Sequence, residues 1–234
     1  MTTRPHHRFE VELVARAPLS SRVHRLSFAS LSPFDWAAGQ HLVVVRGLGQ
    51  DLFLPYSIAS ASDPQRPGEF ELAVAVDAGA DVLDELAVGE RLQVEGPSGD
   101  FVWQAQASPA ALFVGVGTGV APLRALIEEE LARASSTRLL LIAGHRAPED
   151  VLFSADFARL SATHERFRFL PTLSNGGGDW RGSHGRVQAR LVDAIHALRP
   201  LDAYVCGRID MVDDVVRTLS EQGVDAARVR SEGY

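Results

Sequence analysis

Apolar and polar residues alternate with a period of two through much of the N-terminal part of the chain. Phe70-Glu71-Leu72 and Arg91-Leu92-Gln93-Val94-Glu95 show the pattern most clearly. Such alternation places successive side chains on opposite faces of a strand. It predicts strands at Phe9–Arg16, Val23–Phe28, His41–Val45, Tyr56–Ser60, Phe70–Val76 and Arg91–Gly96, all rich in Val, Leu, Ile and Phe. Turn signals separate them: Ser32-Pro33, Gly47-Leu48-Gly49, and Asp63-Pro64 to Pro67-Gly68. With one short helix expected near Asp81–Ala87, the arrangement predicts a six-stranded antiparallel β-barrel.

After Gln104-Ala105-Gln106-Ala107-Ser108-Pro109 the period changes, and apolar runs alternate with helical patterns. Ala111–Val114 precedes a helix at about Val120–Ala134, and Leu139–Ala143 one at about Ser154–Ser161. Phe167–Leu170 precedes a helix at about Gln188–Leu198, and Ala203–Cys206 one at about Met211–Gln222. Strand–helix alternation implies a parallel sheet covered on both faces. The expected fold is therefore two-domain: a barrel over residues 1–107 and an α/β domain with a five-stranded parallel sheet over 108–234.

Composition narrows the chemistry. The chain has 234 residues, 46% hydrophobic and 23% charged, so it can form packed cores. Its net charge of −7 disfavours nucleic acid, whose binding depends on Lys and Arg neutralising phosphates. The single cysteine, Cys206, excludes a disulfide framework and any cluster needing several thiolates. The histidines are scattered without zinc-ligand spacing, so no metal is expected. Residues Met1 to Glu10 lack the apolar core of a signal peptide. The apolar stretch Pro109–Ile127 is broken by glycines, a proline and Arg124, so it reads as strand, turn and helix rather than a membrane span. A cytoplasmic protein with no membrane or nucleic-acid partner is the expectation.

The strongest local motif is Val114-Gly115-Val116-Gly117-Thr118-Gly119-Val120-Ala121-Pro122, between a predicted strand and a predicted helix. Glycines let the backbone approach a ligand closely. Thr118 is expected to cap the helix, and Pro122 is tolerated in a first helical turn. Free N–H groups at the helix start then suit a diphosphate. A tight strand–helix connection with no ligand explains the same glycines. Dinucleotide sites usually carry an acid at the end of the second strand. Here that strand ends Ala143-Gly144-His145-Arg146. Arg146 either contacts a 2′-phosphate, which favours NADPH, or is a solvated loop arginine; Glu149 and Asp150 follow it. Arg181 and Arg186, in the segment Trp180–Arg186, present the same two readings.

Four segments in order carry a resemblance that covers nearly the whole chain: Pro55-Tyr56-Ser57-Ile58-Ala59-Ser60, Gly96-Pro97-Ser98-Gly99-Asp100-Phe101, Gly115 to Pro122, and Cys206-Gly207-Arg208-Ile209-Asp210-Met211. Together they resemble the ferredoxin–NADP reductase superfamily, which includes flavin reductases and the reductase parts of many oxygenases. The resemblance implies a flavin-binding barrel followed by a nucleotide-binding domain. It puts Pro55, Tyr56, Ser57, Ile58 and Ala59 at the flavin, with Ser57 near N5. It puts Gly117, Thr118, Gly119, Pro122, His145, Arg146, Cys206, Gly207, Arg208 and Met211 at the nicotinamide nucleotide. The ending Ser231-Glu232-Gly233-Tyr234 resembles plant-type members, in which the tyrosine stacks on the flavin and the acid joins the serine and cysteine. Ser57, Cys206, Glu232 and Tyr234 are thus the implied catalytic group.

Two positions depart from the family pattern. Leu54 stands where members usually carry an arginine on the flavin phosphate, a contact typically worth about 1.5–3 kcal/mol. The second phosphate segment corresponds to Asp77-Ala78-Gly79-Ala80-Asp81-Val82, where Gly79, Ala80, Asp81 and Val82 are the implied flavin contacts and the Asp81 carboxylate opposes an anion. Arg46, Arg66 or Arg91 compensates, or the flavin is held weakly. The implied activity is hydride transfer from NADPH or NADH to FAD, and then electron release to an acceptor: a small protein, an oxygenase or free flavin. The alternatives are a flavin reductase using FMN or riboflavin as a diffusible substrate, and a non-catalytic electron-transfer subunit.

Overall fold

The computed structural model describes residues 7–47, 51–76, 83–104 and 108–234. Two compact units result: Met1–Trp103 with Arg124–Glu129, and Gln104–Leu123 with Glu130–Tyr234.

The first unit is built from β1 (Arg8–Ser20), β2 (Val23–Ser30), β3 (His41–Gly47), β4 (Asp51–Ser57), β5 (Glu69–Ala75) and β6 (Arg91–Ser98). They form one six-stranded sheet in the order β4-β3-β6-β1-β2-β5, with every pair antiparallel. A bridge between Ile58 and Leu72 brings the two ends of the sheet together, so the sheet closes as a barrel. Alternation drives the packing: Phe9, Val11 and Leu13 of β1 and Phe70, Leu72 and Val74 of β5 point into one core with Leu42, Ile58 and Val94. The helix expected near Asp81–Ala87 is absent from its described part. Residues 83–87 form turns because Arg16 takes the carbonyls of Leu83 and Leu86, at 2.7 and 2.9 Å, and also bonds Asp84. Carbonyls committed to a guanidinium leave the segment no helical ladder.

The second unit contains β7 (Ala110–Val116), α1 (Val120–Ala132), β8 (Arg138–His145), α2 (Ser154–Thr163), β9 (Phe167–Leu173), β10 (Ser183–His184), α3 (Gln188–Leu198), β11 (Asp202–Gly207), α4 (Ile209–Glu221) and β12 (Val229–Gly233), with Arg124–Glu129 of α1 clustering in the first unit. The sheet order is β10-β9-β8-β7-β11-β12, parallel throughout. It has six strands rather than the expected five. Both β10, two residues long, and β12, with one aliphatic residue, carry too little pattern to be read locally. β7 and β11 are buried almost end to end, as the middle strands of a doubly covered parallel sheet must be.

Candidate functional site

Residues Gly117–Gly119 form a tight 3-10 turn between β7 and α1. Gly117 has φ +53°, a left-handed value that favours glycine. A Cβ on Gly119 would lie 2.4 Å from the Cys206 carbonyl oxygen, so only glycine lets the loop pack against β11. Thr118 does not cap α1, contrary to expectation. The N-cap position is Gly119, already helical, and the Thr118 hydroxyl lies 2.8 Å from the Tyr234 hydroxyl instead. Pro122 is buried in the first turn of α1.

The ends of β11 and β12 bring three of the sequence-derived site residues together. Parallel pairing sets Cys206 beside Glu232 and Gly207 beside Gly233. The backbone N–H of Tyr234 donates to the Gly207 carbonyl at 3.1 Å, which holds the tyrosine beside the Gly117–Gly119 turn. There its hydroxyl oxygen accepts the Gly119 N–H at 2.8 Å. Tyr234 is 57% exposed over its surface, and desolvation by its neighbours pushes its acidity constant up. Beside it, Ile209 is 58% exposed and donates its N–H to the Tyr234 carbonyl. Both side chains present apolar surface to solvent. Burial, and then the charge of Glu232, pushes the Cys206 thiol well above its ordinary range. Cys206 is therefore a neutral thiol, unsuited to nucleophilic chemistry.

Other expected nucleotide residues are placed differently. Gly207 has φ +147°, and a Cβ there would meet Val116 Cγ2 at 2.7 Å and Met211 Cε at 2.9 Å. Met211 itself belongs to the core of the unit, so its side chain packs rather than faces a ligand. Arg208 is exposed and paired with Asp210 at 3.0 Å. His145 ends β8 with Nε2 buried and without a hydrogen-bond partner among the described residues. Burial holds its pKa down to about 4, with Asp150 opposing. Arg146 is exposed, and its carbonyl accepts the N–H of Asn175 at 2.7 Å. That bond joins the end of β8 to the loop carrying Arg181. Trp180 organises this loop, a feature the sequence reading missed. Its Nε1 donates to the Ser183 carbonyl at 2.9 Å, and Gly176 and Gly182 pack on its ring. A lone tryptophan flanked by glycines was the available signal.

In the barrel unit, Pro55 is exposed, while Tyr56 and Ser57 are half-buried. Tyr56 pairs with Leu42 in the β3–β4 register, and its ring packs against the barrel core. Ile58 and Ala59 are fully buried. Their N–H groups donate to Gln40 at 2.9 Å and Glu71 at 2.7 Å, so this pair closes the barrel behind Tyr56 and Ser57. Arg124, 6% exposed, donates to the Ala59 carbonyl at 2.9 Å and pairs with Glu71 at 2.6 Å and Glu128 at 2.9 Å. Ser60 Oγ accepts the Glu71 N–H at 3.0 Å. Gly79, Ala80, Asp81 and Val82 lie outside the described residues. Among the described residues no cluster of His, Cys, Asp or Glu could hold a metal, and no helix is long and apolar enough to cross a membrane.

Comparison with known proteins accords with this geometry. Residues 10–103 match the oxidoreductase FAD-binding domain, and residues 113–217 the oxidoreductase NAD-binding domain. Ferredoxin–NADP reductase B of Sorangium cellulosum is 35% identical over 240 residues, which cover 97% of each chain. The NAD(P)H-flavin reductase of Vibrio harveyi is 25% identical over 83% of this chain and 84% of its own. The crystal structure of the Amycolatopsis cytochrome P450 reductase GcoB superposes with a TM-score of 0.88 and 26% identity, over all of this chain and 71% of its own. The barrel is thus the FAD-binding domain and the α/β unit the NAD-binding domain of a flavin-dependent NAD(P)H oxidoreductase that passes electrons to an acceptor. The chain belongs to the ferredoxin–NADP reductase family.

Proposed function

We propose that the protein retains FAD, takes its hydride from NADPH in preference to NADH, and delivers electrons to a protein acceptor such as a ferredoxin or an oxygenase. The observation that carries this reading is the joint placement of Cys206, Glu232 and Tyr234 beside the phosphate loop. The residues present fit a dinucleotide: Gly117 leaves open space that a Cβ would enter, with only the Tyr234 hydroxyl nearby, at 3.8 Å. Thr118 and the Gly119 N–H are the donors a diphosphate requires.

The bound flavin supplies acceptance of a hydride from the nicotinamide and release of the electrons onward. The chain's own residues position. The neutral Cys206 thiol and the exposed Ile209 and Tyr234 side chains hold the nicotinamide end, while Glu232 sets the local charge. Tyr234 gives up the Gly119 N–H when the diphosphate arrives. Tyr56 and Ser57, held from behind by Ile58, Ala59 and Arg124, present the ring-binding edge of the barrel. Preference for NADPH rests on Arg146, Arg181 and Arg186. All three are exposed, and none has a side-chain partner among the described residues. A 2′-phosphate is the group that suits them.

A second reading keeps the fold and makes flavin a diffusible substrate. Leu54 favours it, since this side chain offers no cation to the flavin phosphate. Desalting of the purified protein separates the two. A flavin spectrum that survives, with NADPH oxidation faster with ferredoxin-type acceptors than with free FMN, supports the first reading. A colourless protein that consumes added FMN catalytically supports the second. Within the first, Cys206→Ala and Ser57→Ala should slow flavin reduction at saturating NADPH, and unchanged rates in both remove these residues from the site.

A further inference from the structure

On the sheet face that carries α3, β8 and β9 present Leu140 and Leu170, each only partly buried against the core beneath. α3 contributes Ala194, Ala197 and Leu198 as a wall, and an open groove of about 720 Å³ lies between. Arg138, Arg168 and Arg190 form its rim. Arg168 stands opposite Leu140 in the strand register, and Arg138 two residues before Leu140 shares its face of the sheet. All three arginines are exposed, and none makes an ion pair or side-chain hydrogen bond among the described residues. Arg166 also lines the groove, but its guanidinium is committed to the carbonyls of Thr137 and Glu130 and to the Glu130 carboxylate. Two carboxylates, Glu165 and Asp193, lie along the same lining, and neither pairs with the rim arginines.

Three uncommitted cations gathered over an apolar floor run against the −7 charge of the whole chain. Like charges on neighbouring elements lie within a screening length and repel, so an anion relieves them. The half-covered leucines gain from apolar surface laid over them. The volume is that of a small-molecule site, with an apolar floor and a charged rim. Apart from Ser183 of β10, the strand residues lining the groove belong to the N-terminal parts of β8 and β9, whereas the Gly117–Gly119 turn, His145 and Arg146 sit at the C-terminal ends of their strands. It is therefore separate from the nucleotide site.

We infer that this groove binds a small amphipathic anion, a carboxylic acid with an aryl or medium-chain acyl body. The body lies on Leu140 and Leu170 against α3, and the acid group meets the Arg168 guanidinium, with Arg138 and Arg190 completing the field. The site does not depend on the proposed acceptor or on NADPH preference.

The test uses the full chain loaded with FAD, 8-anilinonaphthalene-1-sulfonate as a fluorescent probe, and decanoate below its aggregation concentration as competitor. Expected is saturable binding of one probe, displaced by decanoate and unaffected by saturating NADP+. Arg168→Glu should weaken it by at least about tenfold, the loss of one charge-assisted contact, and Ala197→Trp, at an exposed helix position, should abolish it by filling the groove. Ferricyanide reduction with NADPH should stay unchanged in both variants, which verifies their folding. Probe binding equal in both variants and the parent overturns the assignment. So does displacement by NADP+, or binding that a polyglutamate peptide displaces and decanoate does not.

Discussion

The Tyr234 hydroxyl occupies the Gly119 N–H, at 2.8 Å, that a diphosphate would need. The proposed nucleotide binding and this hydrogen bond are therefore alternatives. An intramolecular hydrogen bond of this type has a net worth of about 1 kcal/mol. Tyr234→Phe keeps the ring and frees the loop, so the dissociation constant for NADP+ should fall by about fivefold, as read by difference spectroscopy. An unchanged constant would mean that the hydroxyl has left the loop in solution.

Gly119 and Gly178 make a matched pair for testing what the loop glycines do. A Cβ on Gly119 meets the backbone oxygen of Cys206 at 2.4 Å, whereas one on Gly178 meets nothing within 4 Å. Backbone cannot yield as a flexible side chain can, so Gly119→Ala should destabilise by about 2–4 kcal/mol and impair nucleotide binding together. Gly178→Ala should leave the unfolding free energy from urea titration within about 0.5 kcal/mol of the parent.

His145 predicts a pH dependence of stability. Its pKa in the folded protein is held at about 4 by burial, against an ordinary 6.5. Above pH 6.5 the ring is neutral folded and unfolded, and the full stability is present. As pH falls from 6.5 toward 4, the unfolded chain takes up the proton and the folded one does not, so stability is lost across that window by up to about 3 kcal/mol. Urea titrations at pH 7.5, 6 and 5 should show the loss, and His145→Gln should flatten this part of the profile. An equal slope in the variant would assign the loss to other groups.

How much of this was legible varies with the physics of each element. α3 has the bounds the periodicity predicts, because Leu191, Ala194, Ile195 and Leu198 recur on one face and all are buried. Most barrel strands were readable from their two-residue period, but the strand expected at Tyr56–Ser60 is β4 at Asp51–Ser57, where Leu52-Phe53-Leu54-Pro55 does not alternate. β12 was not readable: in Val229–Gly233 the strand exists because β11 offers an edge to pair with, a long-range fact. The turn at residues 83–87 was misread because its competitor, Arg16, is 67 residues away from Leu83. At the candidate site, glycine spacing located the tight turn between β7 and α1, but no local signal revealed that Thr118 bonds Tyr234 instead of capping α1.

Arg124 is a buried cation of the barrel unit, and removing it takes the close guanidinium from Glu128 and from Glu71, which keeps Arg25 at 3.8 Å. Glu71 and Glu128 keep only part of their solvent access, with side chains 23% and 18% exposed. Breaking such a cluster on one side typically costs about 3–5 kcal/mol, and the residual exposure argues for the lower end. Arg124→Met should therefore lower the urea midpoint markedly. It should also weaken FAD binding, because the Ala59 carbonyl behind Tyr56 and Ser57 loses its donor. The double variant with Glu128→Gln should recover part of the stability, since Glu71 keeps Arg25 at 3.8 Å.

A cation compensating for Leu54 at the flavin phosphate is expected among Arg46, Arg66 and Arg91, and substitution separates them. Arg66 is paired with Asp63 at 3.2 Å and Glu69 at 3.6 Å, and Arg91 with Glu12 at 3.1 Å. Arg46 stands opposite Leu52 in the β3–β4 register, one pair beyond Val45–Phe53 and two beyond Val44–Leu54, on the neighbouring strand. Arg46→Ala should raise the dissociation constant of FAD for the apoprotein by about tenfold, the loss of one charge-assisted contact, measured by quenching of flavin fluorescence. Arg66→Ala and Arg91→Ala should leave it unchanged. Leu54→Arg, restoring the donor directly on β4, should tighten FAD in the parent and rescue Arg46→Ala. If Arg46→Ala binds FAD as the parent does while Leu54→Arg still tightens it, the phosphate has no arginine partner on these strands, and the diffusible-flavin reading gains.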